Sequence, residues 1–207
     1  MADSAITCTV ITRTLSHFRT LLDTGDLVAA GPPMPAWPTP RRLALMAAIE
    51  RHWPTGPIVI WHPTGNPRQP GYLLDGVRRL TAADTTTNHP DPVLRDLTVI
   101  EPAYTFTATA DGVYLPIDAV WHTVTFLETT RALEARGVQD AATRRHAENI
   151  ADAFHTADVV AYRLHGGAPA DIHALCRHLI PGRTRRATLD LIAARAHRAV
   201  DDQRHRP

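Results

Sequence analysis

Two arginines, Arg78 and Arg79, follow an Asp75-Gly76 pair within residues 70–83, Pro-Gly-Tyr-Leu-Leu-Asp-Gly-Val-Arg-Arg-Leu-Thr-Ala-Ala. Glycine lets a backbone approach a bound group closely, and a guanidinium offers a fork of N–H donors, so these residue types at this spacing suit phosphate. Asp75 adds a carboxylate able to orient a water or hold Mg²⁺, although one carboxylate is a thin metal site. The same four residues would also make a tight turn closed by an Asp75–arginine ion pair, with no ligand at all.

The flanking residues say how the group is positioned. Tyr72, Leu73 and Leu74 form a short apolar run of strand type, Asp75-Gly76 turns the chain, and Val77 to Ala83 opens as a helix. A strand, glycine turn and helix start direct backbone N–H groups at one spot. A concave pocket is expected there, with Arg78 or Arg79 directed into it.

Twelve histidines and two cysteines are the remaining candidates for chemistry. His173, Cys176 and His178 fall on one expected helix, but tetrahedral zinc asks for four ligands at repeated spacings, and that helix turns Cys176 to its apolar side. Cys8 and Cys176 lie far apart with no repeated spacing, so neither a disulfide framework nor a zinc ribbon is indicated. His52 and His62 flank an expected buried strand and could act as acid or base near the phosphate; the plainer reading makes them polar ends of core elements. Arg183, Arg185 and Arg186 could meet DNA phosphates, though Asp190 and a net charge of +1 point to a solvated face. P-loop, Gly-x-Ser-x-Gly and His-Glu-x-x-His patterns are all missing, which excludes a P-loop NTPase and argues against those hydrolase classes.

A set of short elements must hold this group in place. Ile6 to Ile11 suits a strand, and Thr14 to Thr24 a helix with Leu15, Phe18, Leu21 and Leu22 on one face and Gly25 as its stop. Residues 31–40 are too rich in proline for regular structure and form a loop anchored by Trp37. Thr39-Pro40 opens a helix to about His52, with Leu43, Met46, Ala47 and Ile49 inward. Pro57 to His62 is a buried strand beside Tyr72 to Leu74. Leu97 to Glu101 and Tyr104 to Ala108 read as strands, and Asp111-Gly112 as a hairpin turn returning through Val113 to Leu115. Asp118 to Arg136 and Asp140 to Thr156 read as helices, and Val159 to Leu164 as a strand. Two more helices, Ala170 to Ile180 and Thr184 to Val200, close the chain.

Composition sets the frame. With 207 residues, 44% hydrophobic and 21% charged, the chain suits one globular domain in two lobes, residues 1–116 and 117–207. No run approaches the roughly 20 apolar residues of a membrane span, and the N-terminal residues lack a signal-peptide pattern, so a cytoplasmic protein without a membrane partner is expected.

Asp-Gly-Val-Arg-Arg-Leu-Thr resembles the Asp-Gly-Gln-Gln-Arg-Leu-Thr signature of the GmrS-like domain, the nucleotide-hydrolysing part of GmrSD-type modification-dependent restriction enzymes. Gly76, Arg78, Arg79 and Ala82 also resemble the Gly-x-Arg-Arg-x-x-Ala box of ParB-type CTPases in the same ParB/sulfiredoxin-like superfamily. The order of helix, proline loop ending in Trp, helix, strand and Asp-Gly signature is similar too. The resemblance implies an α/β fold with a small mixed sheet as nucleotide-binding lobe and a helical C-terminal lobe. It further implies a nucleoside triphosphate ligand, with Mg²⁺ as an accompanying ion, and NTP hydrolysis. Asp75 and Arg79 would be catalytic, while Gly76, Arg78 and Arg79 would hold phosphate. In the family this activity serves DNA-modification sensing in phage defence, which would require DNA contact through a partner nuclease chain. Two departures stand out: Val77-Arg78 replaces two glutamines, and Pro33 to Ala36 replaces a Gln-Arg pair. They favour slow turnover, and they keep open a non-catalytic binding module. A phosphotransfer or phosphohydrolase enzyme acting on small molecules in a biosynthetic pathway is the other alternative.

Overall fold

The computed structural model describes residues 6–30, 37–63, 69–82, 92–121, 123–135, 140–168 and 171–172. Along the chain run β1 (Thr7–Thr14), α1 (Leu15–Asp23), β2 (Leu27–Ala29), α2 (Thr39–Glu50), β3 (Ile58–His62), β4 (Gly71–Asp75) and the single turn α3 (Val77–Leu80). Then come β5 (Leu94–Asp96), β6 (Tyr104–Thr105), β7 (Tyr114–Pro116), a 3-10 segment (Ile117–Trp121), α4 (Thr123–Ala135), α5 (Ala141–Thr156) and β8 (Asp158–His165). The molecule is a mixed α/β protein.

Local signals account for most of these boundaries. The Thr14 hydroxyl accepts the His17 N–H at 3.3 Å and caps α1, and Gly25, at φ +79°, comes after its last turn with its N–H on the Leu22 carbonyl. Asp140 caps α5 through the N–H groups of Ala142 and Thr143. Helix α2 starts with Pro38 as the capping residue, one position before the expected Thr39 cap. Its buried side includes Leu45, Met46 and Ile49 and also Arg42, while Leu43 packs only partly against the core.

Five strands form one mixed sheet in the order β1-β8-β3-β4-β2. β1 and β8 pair antiparallel over their whole length, β8 and β3 run parallel, β3 and β4 antiparallel, and β4 and β2 parallel. Burial explains the centre: Ile58, Val59, Ile60 and Trp61 of β3 are each at most 2% exposed, as a strand covered on both faces must be. One face, with Ile58, Ile60, Leu73, Val159 and Ala161, joins Leu15 and Phe18 of α1, Met46 and Ile49 of α2, and Ile150 and Phe154 of α5 in the main core. Each fully buried side chain of this size contributes roughly 1.5–3 kcal/mol. The opposite face gathers Val59, Trp61, Leu74 and Leu164.

β8 supplies the second strand of this sheet, so the sheet draws on both sides of the 116/117 boundary. β2 is a short strand that its three residues do not announce. In the small second sheet, of order β6-β5-β7, the expected hairpin is not formed, because β6 and β7 lie on opposite sides of β5 and never pair with each other. The expected strand over Leu97 to Glu101 is a series of turns instead. Asp96 Oδ1 accepts from the Thr98 backbone N–H at 2.8 Å and from its hydroxyl at 2.6 Å, bending the chain where the strand would have begun. The expected helix from Asp118 opens as the 3-10 segment. The helices expected at Ala170 to Ile180 and Thr184 to Val200 lie outside the described residues, apart from helical Asp171 and Ile172.

Candidate functional site at the β4–α3 turn

β4 delivers Asp75 to the sheet end, and Gly76 turns the chain into α3 with φ +103° and ψ −5°. Both backbone and space demand glycine here. A Cβ at Gly76 would stand 2.3 Å from Ile58 Cγ2, well inside van der Waals contact. The Gly76 carbonyl accepts the N–H groups of Arg79 and Leu80, which sets the single turn.

The two signature arginines part company at this point. Arg79 Nη2 donates to Asp75 Oδ2 at 2.8 Å and to the Pro57 carbonyl, tying α3 back to β4 and to the start of β3. With its side chain only 18% exposed, Arg79 braces the turn. Arg78 has no hydrogen-bond or ion-pair partner among the described residues, and its Nε is buried without one. A guanidinium held in that state is ready to accept an oxyanion.

Two further arginines fix the chain beyond α3. Arg19 of α1 donates to the Leu80 carbonyl at 3.5 Å and stacks over Trp121, while buried Arg42 of α2 donates to the Ala82 carbonyl at 2.9 Å and stacks over Phe106. Trp37 packs against the main core with Arg41 4.3 Å from its ring centre. The proline loop before it lies outside the described residues.

Beside the turn is a small hollow lined by Arg79, Thr55 and apolar side chains including Leu15, Ile49, Ile58 and Val159. Its apolar wall suits core packing, not phosphate, and its lining includes Arg79 but not Arg78. A one-turn helix also adds little dipole to the turn. Asp75 faces Arg79, and among the described residues no three His, Cys, Asp or Glu side chains stand close enough to hold a metal ion. His173, Cys176, His178, Arg183, Arg185 and Arg186 lie outside the described residues.

The histidines expected near the phosphate are placed elsewhere. His52 is exposed just after α2, in a left-handed conformation at φ 54°. His62 lies at the far end of β3, where a Cβ on Gly71 would stand 2.7 Å from its ring. Four residue steps along a strand separate it from Ile58, about 13 Å. There it stacks on His165, with ring centres 5.2 Å apart and planes at 13°. Burial first, then His165 and Arg163, hold the His62 pKa below its ordinary value. Residue types missed that grouping, although Arg163 and His165 sit two apart on β8 in phase with core residues Val159 and Ala161.

A buried polar network was equally silent in the sequence. Arg95, fully buried on β5, donates to both carboxylate oxygens of Glu50 at 2.8 Å, to the Val99 carbonyl at 3.1 Å and to the Ile100 carbonyl at 3.0 Å. The Tyr104 hydroxyl donates to Glu50 Oε2 at 2.5 Å; burial first, and then Glu50, push its pKa far up. This is a scaffold for the second sheet.

Compared with known proteins, the chain matches no family model and no curated protein.

Proposed function

We propose that the chain is a nucleotide-binding protein of the ParB/sulfiredoxin-like kind, resembling the GmrS-like domain, with slow NTP hydrolysis at most. The observation that carries this reading is Arg78, without a partner among the described residues, beside a left-handed Gly76 where any side chain would be strained. Arg78 and the turn backbone hold the phosphates. Arg79 and Asp75 keep the turn in shape, a role that differs from the catalytic one implied by the resemblance. Because Asp75 is neutralised by Arg79, it can orient a water or Mg²⁺ only if that ion pair opens. Binding should therefore outlast turnover.

Isothermal titration with ATP, GTP, CTP and UTP, with and without Mg²⁺, tests the reading. Arg78→Ala should weaken the preferred nucleotide about tenfold to hundredfold, the value of one charge-assisted contact. Arg79→Ala should weaken it less. If the wild type binds none of the four, or Arg78→Ala binds as well as the wild type, the reading is wrong.

A further inference from the structure

On the main-core face of the large sheet, apolar side chains give way to cations at one end. β3 passes from Ile58 and Ile60 to His62, and β8 from Val159 and Ala161 to Arg163 and His165. Because β3 and β8 are parallel, with Ile60 opposite Arg163 and His62 opposite His165, the three basic side chains project from one surface at the carboxyl ends of neighbouring strands. All three are partly exposed and so reachable from solvent.

None of the three has a hydrogen-bond or ion-pair partner among the described residues, and His62 Nε2 and Arg163 Nε are buried without one. The neighbouring strands bring further like charge, not relief. Arg13 of β1 acts on Arg163, and His165 and Arg163 act on His62. On β1, Thr7 stands opposite His165 and Thr9 opposite Arg163; on β4, Gly71 approaches the His62 ring. Polar nitrogens without a partner among the described residues and clustered like charge are both satisfied by one multivalent oxyanion, with His62 protonated. Metal fits poorly: the ring planes lie nearly parallel, and a third ligand is missing among the described residues.

We propose that His62, Arg163 and His165 form a second anion site, distinct from the β4–α3 turn, that binds a phosphate dianion. His62 takes up a proton as the anion enters, so binding of a dianion of fixed charge tightens as pH falls.

The test uses the full chain and the imidazole resonances of His62 and His165, assigned with His62→Gln and His165→Gln. Sulfate keeps two negative charges across the range and isolates the protein's own titration. Titrated against chloride at equal ionic strength, it should shift both rings saturably, at least about tenfold more tightly near pH 6 than near pH 8. Arg163→Leu and, separately, His165→Gln should each weaken it about tenfold to hundredfold. Arg78→Ala should leave it unchanged, which separates this site from the nucleotide reading. Inorganic phosphate and glycerol phosphate, compared near pH 8 where both are dianions, identify a free or an esterified dianion by the tighter of the two. Equal shifts with chloride, sulfate affinity in both variants matching the wild type, or indifference to both phosphates would overturn the proposal.

Discussion

Removing the Arg79 side chain would strip partners from Asp75 and from the Pro57 carbonyl together, since one guanidinium serves both. The expected cost is about 1.5–3 kcal/mol, the range for hydrogen bonds to a charged group. It should appear as a lower urea midpoint at unchanged slope for Arg79→Ala. Arg78→Ala breaks no bond to a described residue and should stay within about 0.5 kcal/mol of the wild type. A reversal of that order would mean that Arg78, not Arg79, braces the turn. Asp-Gly-x-Arg-Arg was legible as one constellation in the chain. Its division of labour was not, because which arginine meets Asp75 depends on the φ of Gly76 and on where the Pro57 carbonyl falls.

Between elements, the Glu50–Arg95–Tyr104 network joins α2 to the second sheet, with the Arg95 side chain fully buried and that of Glu50 10% exposed. Glu50→Gln keeps the shape but leaves the guanidinium without its counter-charge. Losing one partner of a buried pair costs roughly 3–5 kcal/mol, so this variant should lose that much in chemical denaturation. A loss below about 1 kcal/mol would show that the carbonyls of Val99 and Ile100 suffice. Helices α1 and α5, with a capping side chain and a facial pattern, were readable from residue types because their signals are local, and α2 was readable from its Pro40 start and its apolar face. β6 and β7 were misjudged as a hairpin for the converse reason: Asp111-Gly112 signals a turn, but nothing near it says that β5 comes between the two strands.

For the molecule as a whole, acid response should report His62. His62 titrates below its ordinary 6.5 in the folded state because burial, then His165, then Arg163 disfavour its charge. The unfolded chain therefore takes up the proton first. The stability tied to neutral His62 is complete above pH 6.5 and is lost as pH falls through and below that value. In chloride buffer free of phosphate and sulfate, the melting temperature of the wild type should fall more steeply below this point than that of His62→Gln. Parallel pH profiles for the two proteins would show that His62 carries no such linkage.

Residue types and spacing by themselves determined the mixed α/β class, the buried β3 run, the capped helices and the Asp75-Gly76-Val77-Arg78-Arg79 turn, all of them consequences of short-range rules. Tertiary structure alone decided that β8 enters the sheet between β1 and β3, that His62 meets His165 and Arg163 far from Gly76, and that Arg79 is held by Asp75 and Pro57 while Arg78 has no partner among the described residues. Strand order brings together residues about a hundred positions apart, such as His62 and His165. No local propensity encodes that choice, because it is made by burying both faces of β3 at once.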